Sequence, residues 1–155
     1  MSDRKDSSVK KPARPKLTKQ DQELIDAAVE AIRRRYRYDW QEVGAALRLR
    51  SGKIFTGVSL DAYLGRMAIC AEAVALGQAI TVAGEFNIDC IVAVRHPPPE
   101  EKDQPIAVVS PCGACRELIW DYDRNARVIV PGAGGPESVA IGELIPNKYS
   151  RERGS

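Results

Sequence analysis

The chain has one histidine, little net charge and no long apolar run. His96 stands before a proline run, outside any cysteine or glutamate spacing, so it is set aside as a metal ligand. A net charge of +2 is too small to argue for nucleic acid by itself. No apolar stretch approaches the ~20 residues that cross a bilayer, so no membrane association is expected. The N-terminal residues are polar and basic and lack the apolar region of a secretory signal, which points to a cytoplasmic protein. No internal repeat is visible. What the chain does have is 155 residues, enough for one domain, and 44% hydrophobic residues, enough for a core that needs no staple.

It also has four cysteines. Disulfides are disfavoured without an export signal. Three of the cysteines fall into two short motifs, Cys70-Ala71-Glu72 and Pro111-Cys112-Gly113-Ala114-Cys115. A Cys-x-x-Cys pair reads either as a metal site or as a thioredoxin-like redox pair. The redox reading leaves Cys70 and Glu72 unexplained. Three thiolates on one zinc ion leave its fourth position open, which is the mark of a catalytic rather than a structural zinc. Glu72, two residues from a ligand, reads as a proton shuttle beside that open position. Arg116, next to Cys115, is the nearest cation to offset the negative charge of three thiolates. Cys90 lies in the apolar run 88–94 and reads as core.

The pattern along the chain places these motifs. Residues 1–16 hold six basic residues and two prolines and read as a disordered basic tail; 17–155 read as one catalytic domain. A helix is predicted over 18–37, capped by Thr18, with Leu24, Ile25, Ala28, Val29 and Ile32 on one face. Residues 43–49 and 53–60 read as a hairpin around Gly52. Then follow a helix at 68–83, a doubly buried strand at 88–94, a strand at 106–109, a helix at 112–122 and a strand at 127–130. Residues 132–136 read as a turn and 141–149 as a short helix or coil. Strands alternating with helices imply crossover connections. The expected fold is a three-layer α/β/α arrangement around a mixed five-stranded sheet. Both cysteine motifs open predicted helices, where the N-terminus favours thiolate.

The segments 70–72 and 110–116, with Val43-Gly44-Ala45-Ala46-Leu47 and Ile54-Phe55-Thr56-Gly57-Val58, closely resemble the cytidine deaminase family. Ala62-Tyr63-Leu64-Gly65-Arg66, the run 91–97, Arg116-Glu117-Leu118-Ile119, Glu143-Leu144-Ile145-Pro146 and Lys148-Tyr149 resemble its blasticidin-S deaminase branch. The resemblance implies a cytidine deaminase-like fold, a homotetramer with sites near subunit contacts, and hydrolytic attack at C4 of a cytosine ring. It implies Cys70, Cys112 and Cys115 as zinc ligands and Glu72 as the proton carrier. It also implies contacts to the ring from the Ala71 backbone N–H and the Ser110 backbone. Ser59 and Asp61 stand where relatives carry the asparagine and glutamate that grip ribose, and Tyr149 stands where an aromatic closes over the substrate. Both replacements at 59 and 61 are shorter, so sugar specificity stays open among cytidine, deoxycytidine, blasticidin S and another amino-substituted ring. Two other readings remain at this point. One is a deaminase of nucleic acid, favoured by the basic tail and the arginine run at 33–37. The other is a structural zinc module, which needs a fourth ligand that the sequence does not offer.

Overall fold

The computed structural model describes residues 14–149. The expected basic tail lies mostly outside them. Of that segment, Arg14 pairs with Glu137 and, at 3.4 Å, with Glu143.

Helix α1 (Lys19–Arg35) begins at Thr18, whose hydroxyl accepts from the Asp21 N–H while the Asp21 carboxylate accepts from the Thr18 N–H. This reciprocal cap satisfies two of the orphan donors at a helix start. The hairpin β1 (Val43–Leu49) and β2 (Ile54–Val58) turns through Gly52, whose φ of 88° suits a residue without Cβ. Helix α2 (Ala71–Ala83), strands β3 (Ile88–Arg95) and β4 (Ala107–Val109), helix α3 (Gly113–Tyr122) and strand β5 (Arg127–Val130) follow as expected. The sheet runs β2-β1-β3-β5, with β4 also on β3, and its one parallel pair is β3 with β5.

The sheet has six strands, not the five expected. The sixth, β6 (Glu137–Ala140), pairs antiparallel with β5. It escaped the sequence pattern because its inward positions are mixed: Val139 packs in the core, while the neighbouring Ser138, also buried, accepts a hydrogen bond from Arg127. A four-residue Glu-Ser-Val-Ala segment after a glycine-rich turn shows no apolar alternation.

Alternation along β1, β3 and β5 splits the core by face. Ala45, Leu47, Ile91, Ala93, Val128 and Val130 meet α2 and α3 on one side. Ala46, Cys90, Val92, Val94 and Ile129 meet α1 on the other. Two glycines let the helices approach closely. A Cβ on Gly44 would come within 2.6 Å of the Ala28 carbonyl oxygen in α1. A Cβ on Gly57 would come within 2.5 Å of the Ala75 nitrogen and 2.6 Å of the Ala71 oxygen. Gly57 thus seats the first turn of α2 on the sheet, with Cys70 and Glu72 on either side of Ala71.

The α1 face holds a buried ionic network. Asp21 is 1% exposed and receives Arg48 Nη2 at 2.9 Å and Arg127 Nη2 at 3.1 Å; Arg48 Nε also reaches Asp89 at 2.7 Å. Burial works to raise the Asp21 carboxyl, but hydrogen bonds from Arg127, Arg48 and Thr18 overcome it and hold it well below the usual carboxylate range. A carboxyl depressed by folding stabilises the fold above its unfolded pKa of about 3.9, and that contribution is lost as pH falls through the folded value. Asp21→Asn is expected to cost about 3 kcal/mol at neutral pH, because it leaves two arginines without their shared charge. It should also flatten the acid limb of stability, read by urea denaturation across the acid range.

Candidate active site

Cys70 and Cys112 occupy equivalent positions in two different elements. Each is the residue immediately before a helix, with extended backbone, Cys70 before α2 and Cys112 before α3. The Cys112 sulfur accepts from the Cys115 N–H at 3.4 Å and lies 3.5 Å from the Cys70 sulfur. The sulfurs of Cys70, Cys112 and Cys115 all lie within 4.8 Å of one another. Zinc–thiolate bonds of about 2.3 Å at tetrahedral angles place sulfurs about 3.8 Å apart. The cluster therefore fits a zinc ion with three protein ligands, and no fourth His, Cys, Asp or Glu joins it among the described residues.

The electrostatics around the three sulfurs are uneven. Burial and the Cys112 thiol push the Cys70 thiol up. Burial acts the same way on Cys112, but hydrogen bonds from the Cys115 backbone, the two other thiols and the Ala114 backbone hold it below its ordinary value. Burial, with Glu72 and the other two thiols nearby, lifts Cys115 strongly. The expected thiolate-favouring helix start thus operates at Cys112, while burial and neighbouring groups favour the thiol form at Cys70 and Cys115.

Glu72 sits in the first turn of α2 and is 5% exposed. Burial raises its carboxyl above the usual range, countered in part by its own backbone N–H and the Cys115 thiol. Cys70, Glu72 and Cys112 line a cleft of 260 Å³, as do Ala71, Ser110, Ser59 and Asp61. Cys115, 2% exposed, is not among its lining residues, though its sulfur joins the cluster.

The remaining expected residues divide. The Ser59 hydroxyl accepts from the backbone N–H groups of Glu42 (3.3 Å) and Val43 (3.2 Å), so its lone pairs are engaged and its O–H is left to donate. Asp61 is exposed, and its carboxylate accepts from the Ala62 N–H at 2.7 Å. Arg116 reaches no sulfur. Its Nε donates to the Pro111 carbonyl at 3.0 Å and its Nη1 to the Leu144 carbonyl at 3.2 Å, which braces the loop carrying Cys112. Tyr149 is 78% exposed and does not line the cleft of its own chain. Lys148 beside it pairs with Glu117 (2.8 Å) and Asp121 (2.9 Å) and so fixes that segment on α3. Cys90, fully buried on the opposite face of the sheet with its thiol pushed up to about 12 by burial, takes no part.

Among the cleft residues not anticipated, Trp40 and Glu42 are the two that are not aliphatic. Strand pairing brings them there. Gly44 pairs with Val58, and the Ser59 N–H donates to the Val43 carbonyl, so continuing that register sets residues 40–42 opposite 60–62.

Residues 18–131 match the family model described as the cytidine and deoxycytidylate deaminase zinc-binding region. The chain belongs to this deaminase family. Among its relatives, the blasticidin-S deaminase of Bacillus cereus is 46% identical over 135 residues, covering 87% of this chain and 96% of that one. The cytidine deaminase of Sporosarcina psychrophila is 29% identical, with 71% and 76% covered. The crystal structure of cytidine deaminase from Burkholderia pseudomallei superposes with a TM-score of 0.67 at 27% identity, covering 86% of this chain and all of that one. As a zinc-binding deaminase the chain is an aminohydrolase, and the three clustered thiols form a group that could hold its zinc. No described helix is long and apolar enough to cross a membrane.

Proposed function

We propose that this deaminase removes the exocyclic amine of a cytosine ring, in a nucleoside or a nucleoside analogue, releasing ammonia. The observation that carries the reading is the cluster of Cys70, Cys112 and Cys115 sulfurs, two of whose residues line one cleft together with buried Glu72. In this reading the three cysteines hold zinc. When bound, zinc supplies the Lewis acidity that makes water a nucleophile at neutral pH. Glu72 takes a proton from the attacking water, passes it to N3 of the ring and later serves the departing amine. Its burial supports this, because it raises the carboxyl above its usual range and so favours the form that holds a proton to hand on. The Ala71 N–H donates to the ring carbonyl, and the Ser110 carbonyl accepts from the amine. Arg116 acts as a positioning residue through the Pro111 carbonyl.

Ser59 and Asp61 face the group that the ring carries. Ser59 donates its O–H there, and Asp61 accepts. Tyr149 closes over the substrate of a neighbouring subunit in a homotetramer. Its exposure, on a segment pinned by Lys148, supports that assignment. Residues 17–155 form the catalytic domain, 1–16 a basic tail, and the protein works in the cytoplasm.

The test is a side-by-side assay of cytidine, deoxycytidine, blasticidin S and a cytosine-containing single-stranded oligonucleotide, followed by the ultraviolet change of the ring and by ammonia. Turnover of one of the small molecules, none of the oligonucleotide, and loss on chelation restored by zinc are expected. A metal-loaded protein inert toward all four would remove the reading.

A further inference from the structure

The three sulfurs of the cluster are not equally placed. Cys70 and Cys112 line the cleft, whereas Cys115 is 2% exposed and does not. The Cys70 and Cys112 sulfurs lie 3.5 Å apart. A disulfide is about 2.05 Å long, so about 1.5 Å of sulfur movement joins them. We infer that Cys70 and Cys112 form an oxidation site, at which a peroxide entering the cleft couples the two thiols into a disulfide. The link ties the start of α2 to the start of α3 and withdraws both sulfurs from the metal cluster. The chemistry rests on the thiol geometry; its consequence for activity rests on the deaminase reading above.

The backbone on both sides of the pair is already fixed. Each cysteine immediately precedes its helix in extended backbone. The Cys70 carbonyl accepts from the Ala73 and Val74 N–H groups at 3.1 and 3.2 Å, and the Cys112 carbonyl accepts from the Arg116 N–H at 3.0 Å. Closure by rotation of the two side chains therefore keeps both helix starts. Access sets the order of events. Cys112 is exposed and Cys70 half-buried, so Cys112 meets the oxidant first, with its sulfur held by the Cys115 N–H at 3.4 Å. Cys90, fully buried on the other face of the sheet, stays a thiol.

The steps balance with hydrogen peroxide. The Cys112 sulfur attacks one peroxide oxygen; an S–O bond forms, the O–O bond breaks, and water leaves with the thiol proton. The Cys70 sulfur then attacks the Cys112 sulfur; the S–S bond forms, the S–O bond breaks, and the hydroxyl leaves with the Cys70 proton as a second water. The thiols lose two electrons and two protons, and the peroxide is reduced to two waters. For sulfurs held as thiolates on a metal, solvent supplies the two protons. Cys115 is then the one sulfur left in the cluster, too few to hold zinc.

The test is mass spectrometry of protein treated with hydrogen peroxide, both zinc-loaded and after chelation. Cys90→Ala simplifies the reading: tryptic peptide 67–95 then carries only Cys70, while 103–116 carries Cys112 and Cys115. The expected product is these two peptides joined by a bond that a dithiol breaks, with fragmentation placing it on Cys112. The link should form faster after chelation. In the zinc-loaded protein, zinc release and loss of activity should rise in proportion to the linked fraction, and both should reverse with a dithiol and added zinc. A disulfide within 103–116, or Cys112 driven to the sulfinic acid with Cys70 still free, would overturn the site. Because the link is read by mass, a chain that turned over no substrate would sink the deaminase reading without altering this result.

Discussion

Glu72→Ala is expected to yield a folded protein that keeps its zinc and deaminates about a thousandfold more slowly, the scale of a positioned acid–base group. The separation of metal from activity follows from geometry. The three sulfurs cluster without Glu72, which sits in the first turn of α2 and lines the cleft. Truncating it leaves the helix start, the Cys70 position and the Gly57 seat unchanged. What disappears is the buried carboxyl two residues from Cys70 to which the proposed mechanism gives the proton between water and ring. Metal content by elemental analysis, together with the ultraviolet assay, checks both halves. A variant with unaltered kcat would refute the proton-carrier role.

Cys112→Ala is expected to be the more damaging change. It removes a proposed zinc ligand, and it removes the acceptor that receives the Cys115 N–H at the start of α3. Zinc that binds only the folded state stabilises it by about 4 kcal/mol when present a thousandfold above its dissociation constant, so losing the metal lowers stability by that order. Activity should fall below detection, and the melting temperature should no longer rise on adding zinc. Cys90→Ala, by contrast, should keep the metal and the activity and lose only the packing of a small buried side chain. A zinc-free Cys112→Ala enzyme that still deaminated would refute the ligand assignment.

The two cysteine motifs were legible in the sequence because short-range spacing and helix starts fix their geometry. Cys112 and Cys115 lie one helical turn apart, and Cys70 opens the other helix. The layers and the mixed character of the sheet were legible because long apolar runs and helix-period faces dominate them. The polar lining of the cleft was less so. Ser59 was read as a substrate contact from its position alone; that its lone pairs are engaged by backbone N–H groups, leaving its O–H to donate, appears only once β2 folds back beside β1. Trp40 and Glu42 come from the segment before β1, where no local pattern marks them. Strand β6 was hidden because Ser138 is buried by its hydrogen bond with Arg127 rather than by hydrophobicity. Each miss involves groups brought together by pairing distant segments, which single-chain periodicity does not record.

The seclusion of Cys90 has a practical side. Its thiol is fully buried beneath α1 and stays protonated far above neutral pH. A thiol-labelling reagent therefore meets two separate events in this chain. With zinc held as proposed, stripping the metal would free Cys70 and Cys112 at the cleft, while Cys90 is modified only when the α1 layer comes away from the sheet. Mass spectrometry of the labelled peptides would thus tell demetallation from global unfolding in one sample, with Cys90 as the protein's own internal marker of unfolding.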